Sequence, residues 1–275
     1  KASKRIVGTS AERSGLAEKL SLSSSGVSKA NCKTYYNFDQ TSGNLVNQAT
    51  TSNGYTNGTG SSGDCSDYSG VTRDQTGAVS KAWSLSGSDS YIWSPQAISN
   101  STYSVCAWVY PTTISVDQTI MVDDASNAPT AGGSATRLDL KSSGKFAIED
   151  WSDGWNALES TTVATANNWY HVAVTATTSE RKMYVNGALE NTGTGYSVTH
   201  ATGTRIGGDG YGGGIIQEFN GKLDEFSYWD KVLSASDILT IAGKPNVQTN
   251  TIFSETDTGK DFVWNSTTST WTEVA

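Results

Sequence analysis

Residues 168–190 read NWYHVAVTATTSERKMYVNGALE, and this stretch decides the fold class. Two segments with strand-like alternation, Trp169–Thr175 and Lys182–Val185, flank a polar turn. Asn186-Gly187 follows, and both residues tolerate the positive φ of a type I′ turn, which is the strongest short signal for a β-hairpin. The stretch therefore predicts consecutive antiparallel strands.

Similar short strand patterns recur along the chain at roughly ten-residue spacing, with turn residues between them. They are Ala82–Leu85, Tyr91–Trp93, Tyr103–Tyr110, Thr119–Val122, Thr136–Leu140, Lys145–Glu149, Thr204–Gly207 and Lys222–Trp229. This spacing is typical of a β-sandwich or barrel, and 275 residues suffice for one such domain with a single core.

A short helix is predicted after the last of these strands. Ser234 has the character of an N-cap with Asp237 at the N3 position, Ile238 contributes to an apolar face, and Gly243 and Pro245 end the helix. Strand patterns then resume in the tail with Thr251–Asn265, and Trp271 begins a further candidate strand.

The composition limits the ligand and the location. A net charge of -8 with a pI near 4.8 argues against a nucleic-acid partner, because no basic stripe is present to neutralise phosphates. An acidic surface suits cations and neutral ligands such as sugars. No run of 18 apolar residues occurs, so we predict no membrane span. The chain is rich in Trp, Ser and Thr, which favours an exterior location.

Three cysteines cannot all pair with one another. Cys32 and Cys65 lie in polar, turn-rich segments and could form a bridge, and the sequence leaves this open. Cys106 lies inside a strongly strand-like run, so we predict a buried free thiol there.

The hairpin at residues 168–190 and the stretch 219–238 (FNGKLDEFSYWDKVLSASDI) together resemble the second half of a laminin-G-like, concanavalin A-like jelly roll. Tyr35–Asp39 and Tyr103–Pro111 extend the resemblance to about residues 33–243. It implies an all-β, two-sheet antiparallel jelly-roll sandwich with one short C-terminal helix, a fold used mostly for binding and adhesion. We expect an N-terminal arm at 1–30, a jelly roll at 31–244 and a β-tail at 245–275.

The resemblance also implies a calcium ion at the edge of the sandwich. Period two places Asp224, Phe226 and Tyr228 on one face of the last strand, where an acid among apolar residues needs donors or a cation. Asp39 ends the first strand, and in this fold the first and last strands commonly lie side by side. We predict that Asp39 and Asp224 approach each other and, with backbone carbonyls, hold a structural Ca²⁺. The alternative is that Asp224 accepts backbone N–H groups without a metal.

A sugar site needs exposed aromatic rings beside acids and amides. Two turn-rich stretches, 149–156 and 207–214, meet this requirement, and the glycines of the second let a loop approach a ligand closely. The candidate ligand-binding residues are Asp150, Trp151, Asp153, Trp155, Asp209 and Tyr211. Alternatively, Trp151 and Trp155 pack as core or cross-strand partners.

An enzyme is not predicted, and no catalytic residue is assigned. Glycoside hydrolases occur in this fold, but retaining ones need two nearby carboxylates, and no Glu-x-Asp-x-Glu triplet occurs here. Glu149 and Asp150 are adjacent and point to opposite faces of a strand. Of the two histidines, His171 is predicted to be a half-buried structural residue rather than a base.

The predicted function is a non-enzymatic binding or attachment module of an extracellular, cell-surface or virion-surface protein. Its partner is a carbohydrate or a cell-surface glycoprotein. The alternative is a structural subunit of a virion, fibre or filament, because the tail and residues 5–13 resemble short segments of virion structural proteins. In that role the terminal segments would mediate self-association or assembly, since unpaired strands gain stability at another sheet edge.

Overall fold

A computed structural model describes residues 5–10, 13, 17–18, 21–56, 58–98, 101–124, 136–151, 155–197, 202–211, 214–245, 250–265 and 270–274. The helix α1 spans Ala235–Ile241, and short 3-10 turns occur at Leu22–Ser24, Thr51–Asn53 and Gly60–Gly63. The strands in chain order are β1 (Arg5–Gly8), β2 (Ala17–Glu18), β3 (Cys32–Tyr36), β4 (Asp67–Ser69), β5 (Val71–Thr76), β6 (Lys81–Ser86), β7 (Tyr91–Ser94), β8 (Tyr103–Pro111), β9 (Gln118–Asp124), β10 (Thr136–Leu140), β11 (Lys145–Trp151), β12 (Trp155–Val163), β13 (Tyr170–Ala176), β14 (Glu180–Val185), β15 (Ala188–Thr194), β16 (Gly203–Ile206), β17 (Asp209–Tyr211), β18 (Gly214–Ile216), β19 (Asn220–Trp229), β20 (Lys244–Pro245), β21 (Ile252–Glu255), β22 (Asp261–Asn265) and β23 (Thr270–Val274).

Two large antiparallel sheets form the sandwich. The seven-stranded sheet has the order β12-β11-β10-β9-β16-β7-β4. The eight-stranded sheet has the order β15-β14-β13-β8-β19-β6-β5, and β3 also pairs with β19. The all-β jelly-roll prediction is confirmed, and the predicted neighbourhood of the first and last strands is present as the antiparallel β3–β19 pair.

The core lies between the two sheets and, away from the bulges in β9 and β19, takes alternate residues of the strands. In β8 these are Val105, Ala107 and Val109, and in β10 they are Leu138 and Leu140. Because side chains alternate along a strand, the residues between them belong to the outer faces of the two sheets.

A second apolar cluster covers part of the outer face of the eight-stranded sheet. It includes Cys32, Cys106 and Trp229 of the sheet together with Ile238 and Ile241 of α1. Ser234 accepts a hydrogen bond from the backbone N–H of Asp237, and the reciprocal contact completes a capping box, so the helix prediction is confirmed.

All three thiols are free and buried. Cys32 and Cys106 lie in the outer cluster, whereas Cys65 lies in the core between the sheets. The bridge that the sequence left open between Cys32 and Cys65 is therefore absent, because the two thiols belong to clusters on opposite faces of a sheet. The free-thiol prediction for Cys106 is confirmed.

The hairpin prediction at Asn186-Gly187 is also confirmed. The φ angles of these residues are 51° and 82°, as a type I′ turn requires, and they join β14 to β15. A Cβ on Gly187 would lie 2.9 Å from Leu239 Cδ1, so the same turn packs closely against α1.

The two chain ends pair with each other. β1 runs parallel to β21 in a four-stranded sheet of order β1-β21-β22-β23, whose apolar side includes the buried Phe253 and Trp264. The short strands β2 and β20 pair antiparallel. The three predicted tail strands are confirmed, and the N-terminal segment supplies their fourth partner.

Among the described residues, no helix has the length and apolar character that crossing a membrane requires.

Candidate functional site

The outer face of the seven-stranded sheet carries one row of residues that crosses every strand. Each neighbour in the row is a register partner of the next, and we call it the transverse row. From β4 to β12 it consists of Asp67, Trp93, Arg205, Val122, Arg137, Glu149 and Ala157. Charged side chains are rarely buried in proteins, and this row contains buried Arg and Glu residues. We therefore take it as the first candidate for a functional site.

Arg137 is the centre of an ion-pair network on this face. Its guanidinium lies 2.7 Å from Asp139, 2.5 Å from Glu149 and 3.2 Å from Asp209. Lys141 joins the network at 3.1 Å from Glu149. All but Lys141 are buried or nearly so, and the acids outnumber the bases.

The two carboxylates beside Arg137 respond differently to this environment. Burial raises the pKa of Asp139 to about 7, despite the opposing charge of Arg137. Burial also acts to raise the pKa of Glu149, but hydrogen bonds from Arg137 and Lys141 bring it below its usual value. Asp139 is fully buried and lies beside the charge of Glu149, whereas Glu149 accepts hydrogen bonds from both cations, and these effects account for the opposite directions.

This pair does not have the geometry of glycosidase carboxylates. Retaining glycosidases place two carboxyl groups about 5–5.5 Å apart with the scissile bond between them. Here the guanidinium of Arg137 bridges Asp139 and Glu149 and occupies the space that a substrate would need. The network is therefore suited to positioning side chains rather than to proton transfer.

The β4–β7 end of the row is accessible and aromatic. Tyr91 and Trp93 are alternate, half-buried residues of β7, so both rings lie on the outer face. The Tyr91 hydroxyl donates to Asp67 Oδ1 at 2.9 Å. The guanidinium carbon of the fully buried Arg205 lies 5.3 Å from the Tyr91 ring and 5.7 Å from the Trp93 ring. A Cβ on Gly203 would lie 2.3 Å from Trp93, so this glycine leaves the space in which the ring lies.

A small hairpin of β17 and β18 folds back over the sheet, and we call it the flap. Asp209 at its start reaches Arg137 of the row, which fixes the flap above the ion-pair network. Gly207, with φ of +87°, supplies the left-handed backbone at the bend between β16 and the flap. Asp209 is thus a tether in this structure. The side chain of Tyr211 lies outside the described residues, so its predicted ligand contact stays a prediction.

The other predicted loop, 149–156, is placed only in part. Asp150 is buried between the sheets, where it accepts from Thr136 Oγ1 at 2.7 Å and from Arg181 Nη1 at 2.8 Å. These described contacts are structural and leave its predicted ligand contact untested. Trp151 and Trp155 are register partners at the ends of β11 and β12. Their side chains, and all of Asp153, lie outside the described residues.

Asp39 and Asp224 meet at one turn, residues 77–80, on the other side of the sandwich. Asp224 Oδ2 accepts from Val79 N at 2.8 Å, and Asp39 Oδ1 accepts from Lys81 N at 3.0 Å. Within the described part of the structure, Asp224 Oδ1 is buried and has no hydrogen-bond partner. Burial, with smaller effects of Glu225 and Asp39, raises the pKa of Asp224 to about 8.

The alternation argument for Asp224 is wrong, because β19 contains a bulge. Leu223 and Phe226 both lie in the core, although three positions separate them, and Glu225 has a left-handed φ of 51°. One extra residue therefore places Asp224 and Glu225 together on the outer side. Glu225 accepts from Leu22 N at 2.7 Å, which ties the N-terminal segment to the sheet. The acid is buried as expected, but it does not share a face with Phe226 and Tyr228.

The calcium prediction itself stays a prediction. No group of three His, Cys, Asp or Glu side chains with ligand geometry occurs among the described residues. A site here would need backbone or solvent oxygens in addition to the two acids.

Sequence reasoning missed the accessible end of the transverse row. Asp67, Trp93 and Arg205 belong to strands far apart in the chain, and only the strand register brings them together. One usable signal was present, because Tyr91 and Trp93 alternate with Ile92 and therefore present two aromatic rings on one strand face.

Comparisons with known proteins agree with this architecture. The family model described as the concanavalin A-like lectin/glucanases superfamily matches residues 85–239, which is more than half of the chain. No curated protein matches the sequence.

Solved structures give the same fold at low sequence identity. Domain 4 of AbnA, a GH43 extracellular arabinanase from Geobacillus stearothermophilus, in complex with arabinotriose, superposes with a TM-score of 0.56 and 20 % identity, covering 77 % of this chain and 98 % of that one. The botulinum neurotoxin serotype D binding domain superposes with a TM-score of 0.55 and 16 % sequence identity, covering 77 % of this chain and 51 % of the other. The botulinum neurotoxin serotype D ligand binding domain in complex with N-acetylneuraminic acid superposes with a TM-score of 0.54 and 16 % sequence identity. The match covers 77 % of this chain and 50 % of the other. The chain thus matches nearly all of the first structure and about half of each toxin chain.

Proposed function

The chain belongs to the concanavalin A-like lectin/glucanase superfamily, and on this premise we propose that its sandwich is a non-enzymatic carbohydrate-binding module of an exterior protein. The neighbouring arabinanase domain and toxin domain, each solved with a sugar, support this choice of ligand class. The partner is a free carbohydrate or the glycan of a cell-surface glycoprotein.

One observation carries the proposal. The accessible end of the transverse row combines two half-buried aromatic rings, Tyr91 and Trp93, with the carboxylate of Asp67. A sugar offers an apolar C–H face and a rim of hydroxyl groups, so an aromatic surface next to a carboxylate acceptor matches both parts. Arg205 beneath the rings holds them in place through its cation–π contacts.

The test is a glycan array followed by titration calorimetry of the best ligand. We expect Trp93→Ala and Asp67→Ala each to weaken binding at least tenfold, or about 1.4 kcal/mol. Lys260→Ala, at an exposed position just before β22, serves as the control and should bind like the wild type. An array without any selective ligand, or unchanged affinity in both row variants, would overturn the assignment.

We further propose a structural Ca²⁺ at Asp39 and Asp224. The unpartnered Oδ1 of Asp224 supports this, since a buried carboxylate oxygen without a donor is stabilised by a cation. Gly77 also brings the backbone close to this carboxylate: a Cβ there would lie 2.7 Å from Asp224 Oδ2 and 2.4 Å from the carbonyl oxygen of Lys81, so a carbonyl oxygen lies near the acid. Carboxylate and carbonyl oxygens are the ligands that Ca²⁺ prefers.

Calorimetry of metal-stripped protein tests the ion directly. We expect calcium uptake with a raised melting temperature, and loss of both in Asp224→Asn. Asp74→Asn, an exposed acid of the same hairpin, is the matched control. If stripped protein takes up no calcium and its melting temperature does not change, Asp224 is a metal-free acceptor of the Val79 N–H.

The alternative of a structural subunit now depends on the four-stranded terminal sheet. Its N-terminal strand is paired within the chain, so assembly by strand addition to this sheet would use the outer edges of β1 and β23. Removing residues 1–30 and 246–275 distinguishes the two roles: the carbohydrate-binding module keeps its glycan affinity, whereas a structural subunit loses assembly.

A further inference from the structure

The eight-stranded sheet has a second transverse row on its own outer face, directed away from the first. It consists of Tyr110, Lys222, Ser84 and Thr72, which are successive register partners. Trp169, one residue before β13, extends the row at the Tyr110 end. Alternation confirms the face, because Val109 and Leu223 beside these residues lie in the core.

The row forms an aromatic surface with a cation at its side. The Trp169 and Tyr110 rings are 5.3 Å apart at an angle of 55°, and both are half-buried. Lys222 Nζ lies 5.2 Å from the Tyr110 ring. Neither Tyr110 nor Trp169 belongs to the apolar core or to the outer cluster, so packing in these two clusters does not account for the ring pair.

Lys222 is a described cation of this acidic chain that has no carboxylate partner. Its described contacts are the Tyr110 ring and, at 3.5 Å, the carbonyl oxygen of Thr76, and it forms no ion pair with any described carboxylate. Asp224, two residues along the strand on the same outer face, is fully buried under the 77–80 turn, where its Oδ2 accepts from Val79 N, and no ion pair joins it to Lys222. The positive charge is therefore available to an anion.

We propose that Trp169, Tyr110 and Lys222 form a second saccharide site, specific for sugars that carry a carboxylate group. The aromatic rings take the C–H face of the sugar ring, and Lys222 donates a charge-assisted hydrogen bond to the carboxylate. Two neighbouring polar groups can hydrogen-bond to the sugar hydroxyls. They are Asn220, two residues before Lys222 on the same face, and the Ser84 hydroxyl. A neutral sugar gains only the aromatic contact, so the lysine sets the specificity.

The position of the row gives the protein two saccharide sites on opposite faces. The two sites share no residue, so the second can exist whether or not the first does. If both are occupied, one molecule can connect two glycan chains, and avidity on a glycan-coated surface exceeds either single affinity.

Titration calorimetry with uronic-acid and sialic-acid oligosaccharides tests the site, each compared with its methyl ester. The ester keeps the ring and removes the charge. For the best acid we expect at least tenfold tighter binding than for its ester, loss of this difference in Lys222→Gln, and loss of binding to both forms in Trp169→Ala. Lys231→Gln, a lysine that also contacts an aromatic ring on this sheet, is the matched control and should leave both affinities unchanged.

A variant of the first site shows whether the two sites act independently. Trp93→Ala should leave the acid–ester difference intact, and failure of the Trp93 site has no effect on this result. Equal affinity of acid and ester for every sugar, or an acid preference that persists in Lys222→Gln, overturns the proposal. The melting temperature of each variant confirms that the fold is retained, and Trp169→Phe, which keeps an aromatic ring, should restore binding in part.

Discussion

Arg181 of the eight-stranded sheet donates to Asp150 of the seven-stranded sheet through the interior of the sandwich, at an Nη1–Oδ2 distance of 2.8 Å. The same guanidinium donates to the carbonyl oxygens of Asn156 and Thr194 at 2.9 and 2.8 Å. Asp150 also accepts from Thr136, so one buried acid and one buried base join three strands of the seven-stranded sheet to two of the eight-stranded sheet.

Replacing Asp150 with Ala leaves the buried charge of Arg181 without its counter-ion. We expect the free energy of unfolding to fall by about 3–5 kcal/mol, as is usual when one partner of a buried pair is removed. Chemical denaturation measures this. The exposed Lys260–Glu273 pair is the control, and Lys260→Ala should cost less than about 1 kcal/mol. Native stability of Asp150→Ala together with lost sugar binding would return Asp150 to the ligand-contact role predicted for it.

Gly77 allows the turn before β6 to approach Asp224. A Cβ at this position would lie 2.4 Å from the Lys81 carbonyl oxygen, a backbone atom that cannot move away without distorting β6. Gly77→Ala should therefore lower the free energy of unfolding by about 1–3 kcal/mol or more, which thermal and urea melts can measure. Gly214→Ala is the control, because a Cβ there meets nothing within 4 Å, and it should be nearly neutral.

Local sequence signals predicted the turns and the helix, because these elements depend on residues that are close together in the chain. Asn186-Gly187 and the Ser234 cap specify their turn and helix through groups a few residues apart, and both predictions are confirmed. The bulge at Glu225 could not be predicted, because it arises where β19 changes its partner from β6 to β3. The pairing of Arg5–Gly8 with the tail is equally invisible locally, since its partners are nearly the whole chain apart.

The candidate sites were the least predictable part for the same reason. The sequence indicated loops rich in Trp, Asp and Gly, whereas the described functional rows run across strands. Trp93 and Arg205 meet only because β7 and β16 pair in one register, and a shift of one residue would place either side chain on the opposite face. Asp209 was selected as a ligand residue, and its described contact is with Arg137.

Glu190 connects the edge strand β15 of one sheet to the edge strand β12 of the other. Its carboxylate accepts from the backbone N–H groups of Thr161 and Thr162 at 2.9 Å each, and so covers donors on the edge strand β12. Glu190→Ala should lower the free energy of unfolding by about 1–2 kcal/mol, and Glu190→Gln, which retains one acceptor oxygen, by less. The exposed Glu180 is the matched control, and Glu180→Ala should remain within about 0.5 kcal/mol of wild type. Equal stability of the two Glu190 variants would mean that the edge donors are satisfied by water.

His171 gives the fold a defined weakness in acid. The sequence predicted a half-buried structural residue, but the ring is fully buried against Trp108, with ring centroids 5.3 Å apart. Within the described structure neither ring nitrogen has a hydrogen-bond partner, and burial lowers the pKa to about 3 from an ordinary value of 6.5. Protonation then favours the unfolded chain, because only there is the imidazolium hydrated.

The sign of the pH dependence follows from these two pKa values. The stability linked to His171 is fully present above about pH 6.5 and is lost as the pH falls toward 3, at about 1.4 kcal/mol per pH unit. His171→Leu removes this dependence and, since no hydrogen bond is lost, should have near-wild-type stability at pH 8. Urea denaturation of both proteins from pH 8 to pH 4 gives the comparison: the difference in free energy of unfolding should grow in favour of the variant below pH 6.5. A constant difference across this range would show that the buried imidazole is protonated in the folded state, with an acceptor that compensates for its burial.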